Sequence, residues 1–238
     1  MESIKPIRGI YDPVREMKKF ASDEERFSLM REKLYTAVVS DVLDGLGLRA
    51  QAMRHDIRPV HPDFVVVGRA RTAYWVGEYR ERENPYENEI KLIDSLRPWD
   101  VSVHSTDFSG LIAPWGELLS TASKMRGSTG AVVDAFTRDV KKIIELGFPV
   151  FTRGIKPLDS RGRGYIQAYD VPIPCGDVVV GPGEIVFGDY DGIMVIPREV
   201  EDEVISRALE KVSGENSTRR ELLEGKLLGD VYEKYGVL

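Results

Sequence analysis

Between residues 101 and 151, short apolar segments alternate with segments that carry the start and stop signals of helices. A helix is predicted from Pro114 to the glycines that follow residue 126, and a second over residues 138–146 with Thr137 as its cap. Three apolar segments predict buried strands: residues 101–105, 131–133 and 149–151. This β-α-β-α-β order predicts a sheet with helices packed on it.

The N-terminal part of the chain is predicted to be mainly helical. Ser22 and Glu25 have the spacing of a capping box, which predicts a helix from Ser22 to about Tyr35. Residues 1–13 contain proline and glycine and predict an irregular arm. Further predictions are a short helix over 40–44, a strand over 64–75 with a bend at Gly68, a loop over 78–88, a helix over 89–96 and a binding loop over 106–114.

The C-terminal third has the pattern of short strands separated by turns. Strands are predicted over residues 165–168, 178–180, 185–187 and 193–196. A helix over 198–212 is predicted to break at 213–216 before a last helix that ends at Tyr235. Leu223, Leu227 and Val231 form an apolar stripe that predicts core or subunit packing. The fold class is therefore α/β (α+β), one domain over residues 1–238 with helical extensions at both ends.

Composition and the absence of common motifs argue against several classes of function. The net charge of −6, from 39 acidic and 33 basic residues, argues against a nucleic-acid partner. Cys175 is the only cysteine, and no apolar run reaches the roughly 18 residues of a membrane span, so a cytoplasmic protein is expected. Walker A, GxGxxG, HExxH, CxxC and GxSxG motifs are absent, and the three histidines lack metal-ligand spacing.

Candidate site residues cluster at the starts of the two central helices. Backbone amides of Gly116, Glu117, Leu118 and Leu119 can bind an anion, since first-turn amides lack intrahelical acceptors. After twenty intervening residues Glu117 is followed by Arg138, whose guanidinium can hold a carboxylate, and Asp139. Asp139 could bind Mg²⁺ or Mn²⁺. Another interpretation is structural, because acids in a first helical turn are also favoured by the helix dipole.

Several motifs of this sequence resemble those of the RraA-like family. This family includes the 4-hydroxy-4-methyl-2-oxoglutarate (HMG) aldolases, also called class II pyruvate aldolases, and the regulator of ribonuclease activity A. The resemblance extends over about residues 30–212, which would leave 1–29 as an N-terminal arm and helix and 213–238 as a C-terminal helix. It implies a swivelling β/β/α fold and a homotrimer or homohexamer. The similar segments are residues 36–44, 115–119, 130–139, 147–151 with Gly154 and Pro157, 181–184 and 188–192.

The resemblance also implies roles for the candidate residues. Arg138 would hold the carboxylate of a small 2-oxo acid, Asp139 would anchor a divalent metal, and the backbone of residues 116–119 would contact the substrate. Glu117 stands where the aldolases have their acid/base aspartate, and Lys142 stands where the regulators favour an acid. The chain therefore departs from both subgroups.

The function implied by the resemblance is a divalent-metal-dependent lyase, an aldolase or decarboxylase, that releases pyruvate from a substrate such as HMG or oxaloacetate. One alternative is a non-catalytic regulator that binds an RNase E-like ribonuclease. A second alternative, raised by the departure at Glu117, is other metal-assisted hydroxy-acid chemistry such as dehydration.

Overall fold

The computed structural model describes residues 17–78, 80–106 and 112–236. The predicted arm at residues 1–13 and residues 107–111 of the predicted binding loop lie outside this part of the chain. The helices are α1 (Asp23–Lys33), α2 (Thr36–Gly45), α3 (Glu87–Asp94), α4 (Glu117–Met125), α5 (Val140–Leu146), α6 (Glu201–Leu223) and α7 (Leu228–Tyr235), with a 3₁₀ turn at Arg198–Val200. Among them, no helix is both long and apolar enough to cross a membrane.

The strands form one mixed sheet and a separate hairpin. Their bounds are β1 (Arg58–Pro59), β2 (Val66–Gly77), β3 (Asp100–Thr106), β4 (Gly130–Thr137), β5 (Val150–Ile155), β6 (Gly164–Tyr169), β7 (Ile173–Cys175), β8 (Val178–Val180), β9 (Ile185–Asp189) and β10 (Gly192–Ile196). The order across the sheet is β1-β5-β4-β3-β2-β9-β10, and β6 pairs with the second half of β2. Strands β2, β3, β4 and β5 are parallel. The predicted α/β class is confirmed.

The central parallel strands are buried on both faces. Val101, Val103 and Val132 pack into one apolar cluster, whereas Ala131 and Val133 pack into another on the opposite face. Adjacent residues of a strand point to opposite faces, so continuous apolar runs such as these require cover on both sides. Helices α4 and α5 and the β7–β8 hairpin belong to the elements that provide this cover.

The N-terminal helices pack with α6 against β9 and β10. Phe27 and Met30 of α1 are fully buried in this cluster. The predicted cap at Ser22 is confirmed, since its hydroxyl accepts a hydrogen bond from the Glu25 amide at 3.2 Å. The carboxylate of Glu25 accepts from the amide of Ala21, one residue before the position of a standard capping box.

The predicted starts of the two central helices are wrong. Helix α4 begins at Glu117 instead of Pro114, and α5 begins at Val140 instead of Arg138. Thr137 belongs to β4, where its hydroxyl donates to the Trp115 carbonyl at 3.0 Å instead of capping a helix. Helices α4 and α5 therefore both begin later in the chain than the sequence predicted.

Other predicted boundaries also differ from the structure. Strand β2 runs through Gly68 without a break. Glycine is needed at this position because the carbonyl oxygen of Trp99 lies 2.1 Å from where a Cβ atom would be. Helix α6 continues through residues 213–216, so the predicted break is wrong. Val231 of the predicted apolar stripe is buried, whereas Leu223 and Leu227 are exposed.

Candidate functional site

A cavity of about 290 Å³ lies beside the residues that follow the parallel strands β4 and β5. Ligands of sheets with parallel strands bind outside the carboxyl ends of the strands, so this is the expected location for a site. The cavity is lined by all six candidate site residues of the sequence: Gly116, Glu117, Leu118, Leu119, Arg138 and Asp139. The structure therefore brings these residues together.

Contacts between two loops fix the back of the cavity. Trp115 pairs with Thr137 in a parallel bridge, and its carbonyl accepts a hydrogen bond from the Arg138 amide at 3.0 Å. The indole of Trp115 is buried, stacks on Phe148 and donates to the hydroxyl of Ser120 at 2.8 Å. The start of α4 is thereby held next to the end of β4.

Gly116 lies directly against the side chains of the next loop. A Cβ atom at this position would lie 2.9 Å from the Asp139 carboxylate and 3.2 Å from Cγ of Arg138. The backbone of Gly116 is extended, so the requirement for glycine comes from this close approach and not from its φ angle. The N-cap residue Gly116 has no side chain to cap α4, which leaves the amides of Leu118 and Leu119 available to an anion.

Asp139 occupies an unusual backbone conformation at the start of α5. Its φ angle is 59°, in the left-handed region that few residues other than glycine adopt. Its side chain makes no capping hydrogen bond to α5, and one oxygen accepts from the Glu117 amide at 3.5 Å. The carboxylate therefore points toward the start of α4 and is about half exposed. Residues held in such backbone conformations concentrate at functional sites.

Arg138 is poised between two carboxylates. Its guanidinium lies 3.7 Å from Asp139 and 3.7 Å from Asp159, distances that make ion pairs but not hydrogen bonds. The N–H groups of the guanidinium thus remain able to bind a carboxylate in a bidentate manner. Asp159 is fixed by the hydroxyl of Tyr86 at 2.8 Å and the amide of Ser160 at 2.7 Å.

The acids of the cavity have different environments. Burial opposes ionisation of Asp159, but hydrogen bonds from Tyr86 and the charge of Arg138 together hold its pKa below the usual range. Glu89, which lies on α3, is only 8% exposed, and burial raises its pKa to about 8, with Asp159 acting in the same direction. Glu117 is partly exposed and accepts a hydrogen bond from the Thr121 hydroxyl at 2.9 Å.

The cavity offers one carboxylate in a suitable position for a divalent metal. In the described ranges, no group of three or more His, Cys, Asp or Glu side chains is arranged to hold a metal ion. Mg²⁺ is commonly held by one or two carboxylates, with waters and substrate oxygens completing its octahedral coordination. Asp139, half exposed at the cavity wall, fits this kind of site.

Four polar residues of the cavity were missed in the sequence: Tyr86, Glu89, Asp159 and Ser160. Asp159 follows β5, and its position after a parallel strand was a usable signal. Tyr86 and Glu89 come from the α3 region, which no motif of the sequence connects with residues 116–139. Tyr86 lies within the segment 78–88 that the sequence predicted to be a loop.

His104 does not belong to the site. It is fully buried in β3, where its ring accepts from the Trp75 indole at 2.9 Å and pairs with the Ser102 hydroxyl at 2.8 Å. Burial lowers its pKa to about 3, which keeps the ring neutral. Its ring fills space in the core, and each ring nitrogen has a hydrogen-bond partner there.

Known proteins similar to this chain identify its family. A family profile of RraA-like proteins, described as Aldolase/RraA, matches residues 36–195. The chain belongs to the RraA-like family. The predicted family and fold are thus confirmed, and the cavity residues 116–119, 138 and 139 all fall within the matched segment.

The RraA-like relatives carry different descriptions. A candidate HMG aldolase of Halalkalibacterium halodurans is 32% identical over 185 residues, which cover 78% of this chain and 83% of the relative. Streptomyces coelicolor RraAS2, described as an unusual member of the RNase ES inhibitor RraA family, superimposes with a TM-score of 0.73 and 28% identity, covering 85% of this chain and 98% of that chain. A structure described as novel cellulases from gut-associated microbes has a TM-score of 0.77 and 30% identity, covering 85% and 90%.

Proposed function

We propose that this RraA-like protein is a divalent-metal-dependent lyase, an aldolase or decarboxylase, that releases pyruvate from a small 2-oxo acid such as HMG or oxaloacetate. The observation that carries this proposal is the meeting of Arg138, Asp139 and the uncapped start of α4 in one cavity of about 290 Å³. A cavity of this volume is at the lower end of ligand sites and favours a small acid over an oligosaccharide.

Binding of the substrate carboxylate is assigned to two groups. The guanidinium of Arg138 faces the cavity, paired with Asp139 and Asp159 only at 3.7 Å, and would bind both carboxylate oxygens. The amides of Leu118 and Leu119 in the first turn of α4 would add hydrogen bonds and the positive end of the helix dipole. Together they would fix the 2-oxo acid against Gly116, where no side chain intervenes.

Asp139 would hold the divalent metal, with Mg²⁺ or Mn²⁺ as the expected ions. When bound beside the substrate, such a metal polarises the 2-oxo group and stabilises the negative charge of the developing enolate. The left-handed backbone of Asp139 holds its carboxylate next to the substrate carboxylate site at Arg138. The metal and the guanidinium would thus act on the same end of the substrate.

Glu117 would act as the base of the aldol cleavage. Acting through a water molecule, it would accept the proton of the 4-hydroxyl as the C3–C4 bond breaks and its electron pair forms the enolate of pyruvate. In the decarboxylation of oxaloacetate the same bond cleavage releases carbon dioxide and leaves the same enolate. The longer glutamate, compared with the aspartate of the aldolases, would then be accommodated through this water.

The proposal is tested by pyruvate release from HMG and oxaloacetate in the presence of Mg²⁺. We expect activity that EDTA removes and Mg²⁺ restores, and an Asp139→Ala variant that loses at least ~10²-fold in kcat. Asp230→Ala, at an exposed aspartate of α7, is the matched control and should retain wild-type activity. Full turnover in EDTA, or an active Asp139→Ala variant, would contradict the metal role.

A second candidate function is regulation of a ribonuclease. It is favoured by the similarity to Streptomyces coelicolor RraAS2, whose description names an RNase ES inhibitor family. The two functions differ in outcome: a regulator would bind an RNase E-like protein in a pull-down and show no lyase activity on a panel of 2-oxo acids. In either case, assembly as a homotrimer or homohexamer and a cytoplasmic location remain predictions.

A further inference from the structure

Glu89 occupies a position on α3 where an apolar residue is expected. Leu92 and Ile93, three and four residues later, are buried on the same face of the helix. Residues at this spacing form the stripe with which a helix packs against the protein. Glu89 is buried with them, although glutamate is rarely buried without a partner.

At one of its two oxygens, the carboxyl group of Glu89 has no hydrogen bond that compensates for this burial. Oε2 of Glu89 is inaccessible to solvent and has no hydrogen-bond partner among the described residues. Two other acids of this region do have partners: Glu87 pairs with Lys91 at 2.5 Å, and Asp159 accepts from Tyr86 and Ser160. Burial of an unpaired polar group destabilises a protein, so a residue of this kind is expected to serve a ligand.

Glu89 lines the same cavity as Gly116, Arg138 and Asp139. The charges that act on it are Asp159, which opposes its ionisation, and Arg138, which favours it. The pKa of about 8 that results from burial leaves the carboxyl group mainly neutral at pH 7. A neutral carboxyl has an O–H donor, which an ionised carboxylate lacks.

We infer that Glu89 is the acid of this site, which delivers its proton to carbon C3 of the pyruvate enolate. This inference rests on the proposed lyase function. After cleavage, the electron pair of the enolate forms the new C3–H bond with the proton of Glu89, which becomes a carboxylate. Solvent then returns a proton to Glu89 for the next turnover. The proton that Glu117 takes from the 4-hydroxyl leaves separately through its water.

The two glutamates therefore have separate roles. Glu117 is partly exposed at the start of α4, and Glu89 is buried on α3, so their environments differ as those of an acid and a base in one site do. Decarboxylation of oxaloacetate involves no 4-hydroxyl and needs no base, but its enolate still needs a proton at C3. Glu89 is thus required for both reactions and Glu117 for the aldol cleavage alone.

Exchange of the methyl protons of pyruvate with deuterium isolates the step assigned to Glu89. By microscopic reversibility, the group that protonates C3 also removes a proton from C3 of bound pyruvate. The exchange is followed by proton NMR in D₂O with Mg²⁺, for the wild type, Glu89→Gln and Glu87→Gln. Glutamine keeps the shape of glutamate and a hydrogen-bond donor but cannot transfer the proton. Glu87, exposed two residues earlier on α3, provides the matched control.

We expect exchange to fall by ~10² to 10⁴-fold in Glu89→Gln and to stay within about twofold of the wild type in Glu87→Gln. Oxalate resembles the enolate and needs no proton, so its affinity with Mg²⁺, measured by calorimetry, should stay within about threefold in both variants. A loss of oxalate affinity equal to the loss of exchange would assign Glu89 to the shape of the site and overturn the acid role.

Failure of this inference can be distinguished from failure of the proposed function. A wild-type protein that releases pyruvate and exchanges its protons, together with a Glu89→Gln variant that exchanges equally fast, would overturn the role of Glu89 alone. A wild-type protein that neither releases pyruvate from the 2-oxo acids nor exchanges its protons would overturn the lyase function, and the role of Glu89 with it.

Discussion

Gly116 shows how a single missing side chain shapes the candidate site. The sequence predicted that the backbone amide of Gly116 can bind an anion. The structure adds that the side chains of Arg138 and Asp139 already lie within 3.2 Å and 2.9 Å of where a Cβ would be. Any larger residue would therefore displace the two side chains that the proposed mechanism uses.

Replacement of Gly116 by alanine tests this geometry. We expect Gly116→Ala to lower kcat/KM for oxaloacetate by about 10²-fold, because a displacement of about 1 Å has that effect on a positioned group. The melting temperature should change by less than about 2 °C, since the added methyl meets the partly exposed side chains of Arg138 and Asp139 and not the core. Gly229→Ala is the matched control, because nothing lies within 4 Å of its Cβ position. Equal kinetics for both variants would contradict the role of Gly116.

Residues of the site differ in how far the sequence could predict them. Arg138 and Asp139 are adjacent and belong to a motif, so their joint presence in the cavity was predictable. Glu89 and Asp159 are separated from them by 49 and 20 positions, and neither belongs to a motif of the sequence. Their participation depends on how α3 and the segment after β5 pack, which local sequence patterns do not contain.

At the scale of elements, the spacing of apolar residues does not identify the buried face of α4, the helix that begins at the site. Leu118, Leu119, Ala122 and Met125 form an apolar face by spacing, yet Leu118 and Met125 are exposed and Ser120 and Ser123 are buried. The helix is rotated because Ser120 is needed beneath it, where it accepts from the Trp115 indole and donates to the Gly116 carbonyl. No local pattern in the sequence indicated these two hydrogen bonds of Ser120.

The capping signal at Ser22 was confirmed, unlike the one at Thr137, and it gives a quantitative prediction. Ser22→Ala removes the acceptor of the Glu25 amide, so we expect a loss of about 1 kcal/mol in the free energy of unfolding. For a chain of this size that corresponds to a melting temperature lower by about 2 to 4 °C, measured by circular dichroism. Ser22→Asp retains an acceptor and should match the wild type. A Ser22→Ala variant as stable as the wild type would show that this hydrogen bond does not stabilise α1.

At the scale of the whole molecule, the β-α-β-α-β order correctly predicted a sheet with helices packed on it. It did not predict the division of β2, whose first half pairs with β9 and whose second half pairs with β6. This division joins the strands of the C-terminal third to the parallel core in one sheet. Pairing between distant segments depends on the whole chain, so it is outside the reach of local patterns.

Glu89 connects the site to the stability of the whole molecule. Its pKa is about 8 in the folded chain against 4.5 for an ordinary glutamate, so from pH 4.5 upward the unfolded chain releases this proton while the folded chain retains it. Folding therefore becomes less favourable as pH rises from 4.5 to 8, by about 3 to 5 kcal/mol in total for a group this deeply buried. Above pH 8 the contribution is constant.

The pH dependence of unfolding checks this linkage. Between pH 5 and pH 8, urea unfolding of the wild type should show a loss of free energy about 3 kcal/mol larger than that of Glu89→Gln, which carries no titrating group there. The comparison of slopes cancels any constant effect of the amide on packing. Asp159, whose pKa is held below the usual range, stays ionised throughout this range, so it does not contribute to the difference. Equal slopes would mean that Glu89 is already ionised in the folded chain, and an ionised Glu89 has no proton to give to the enolate.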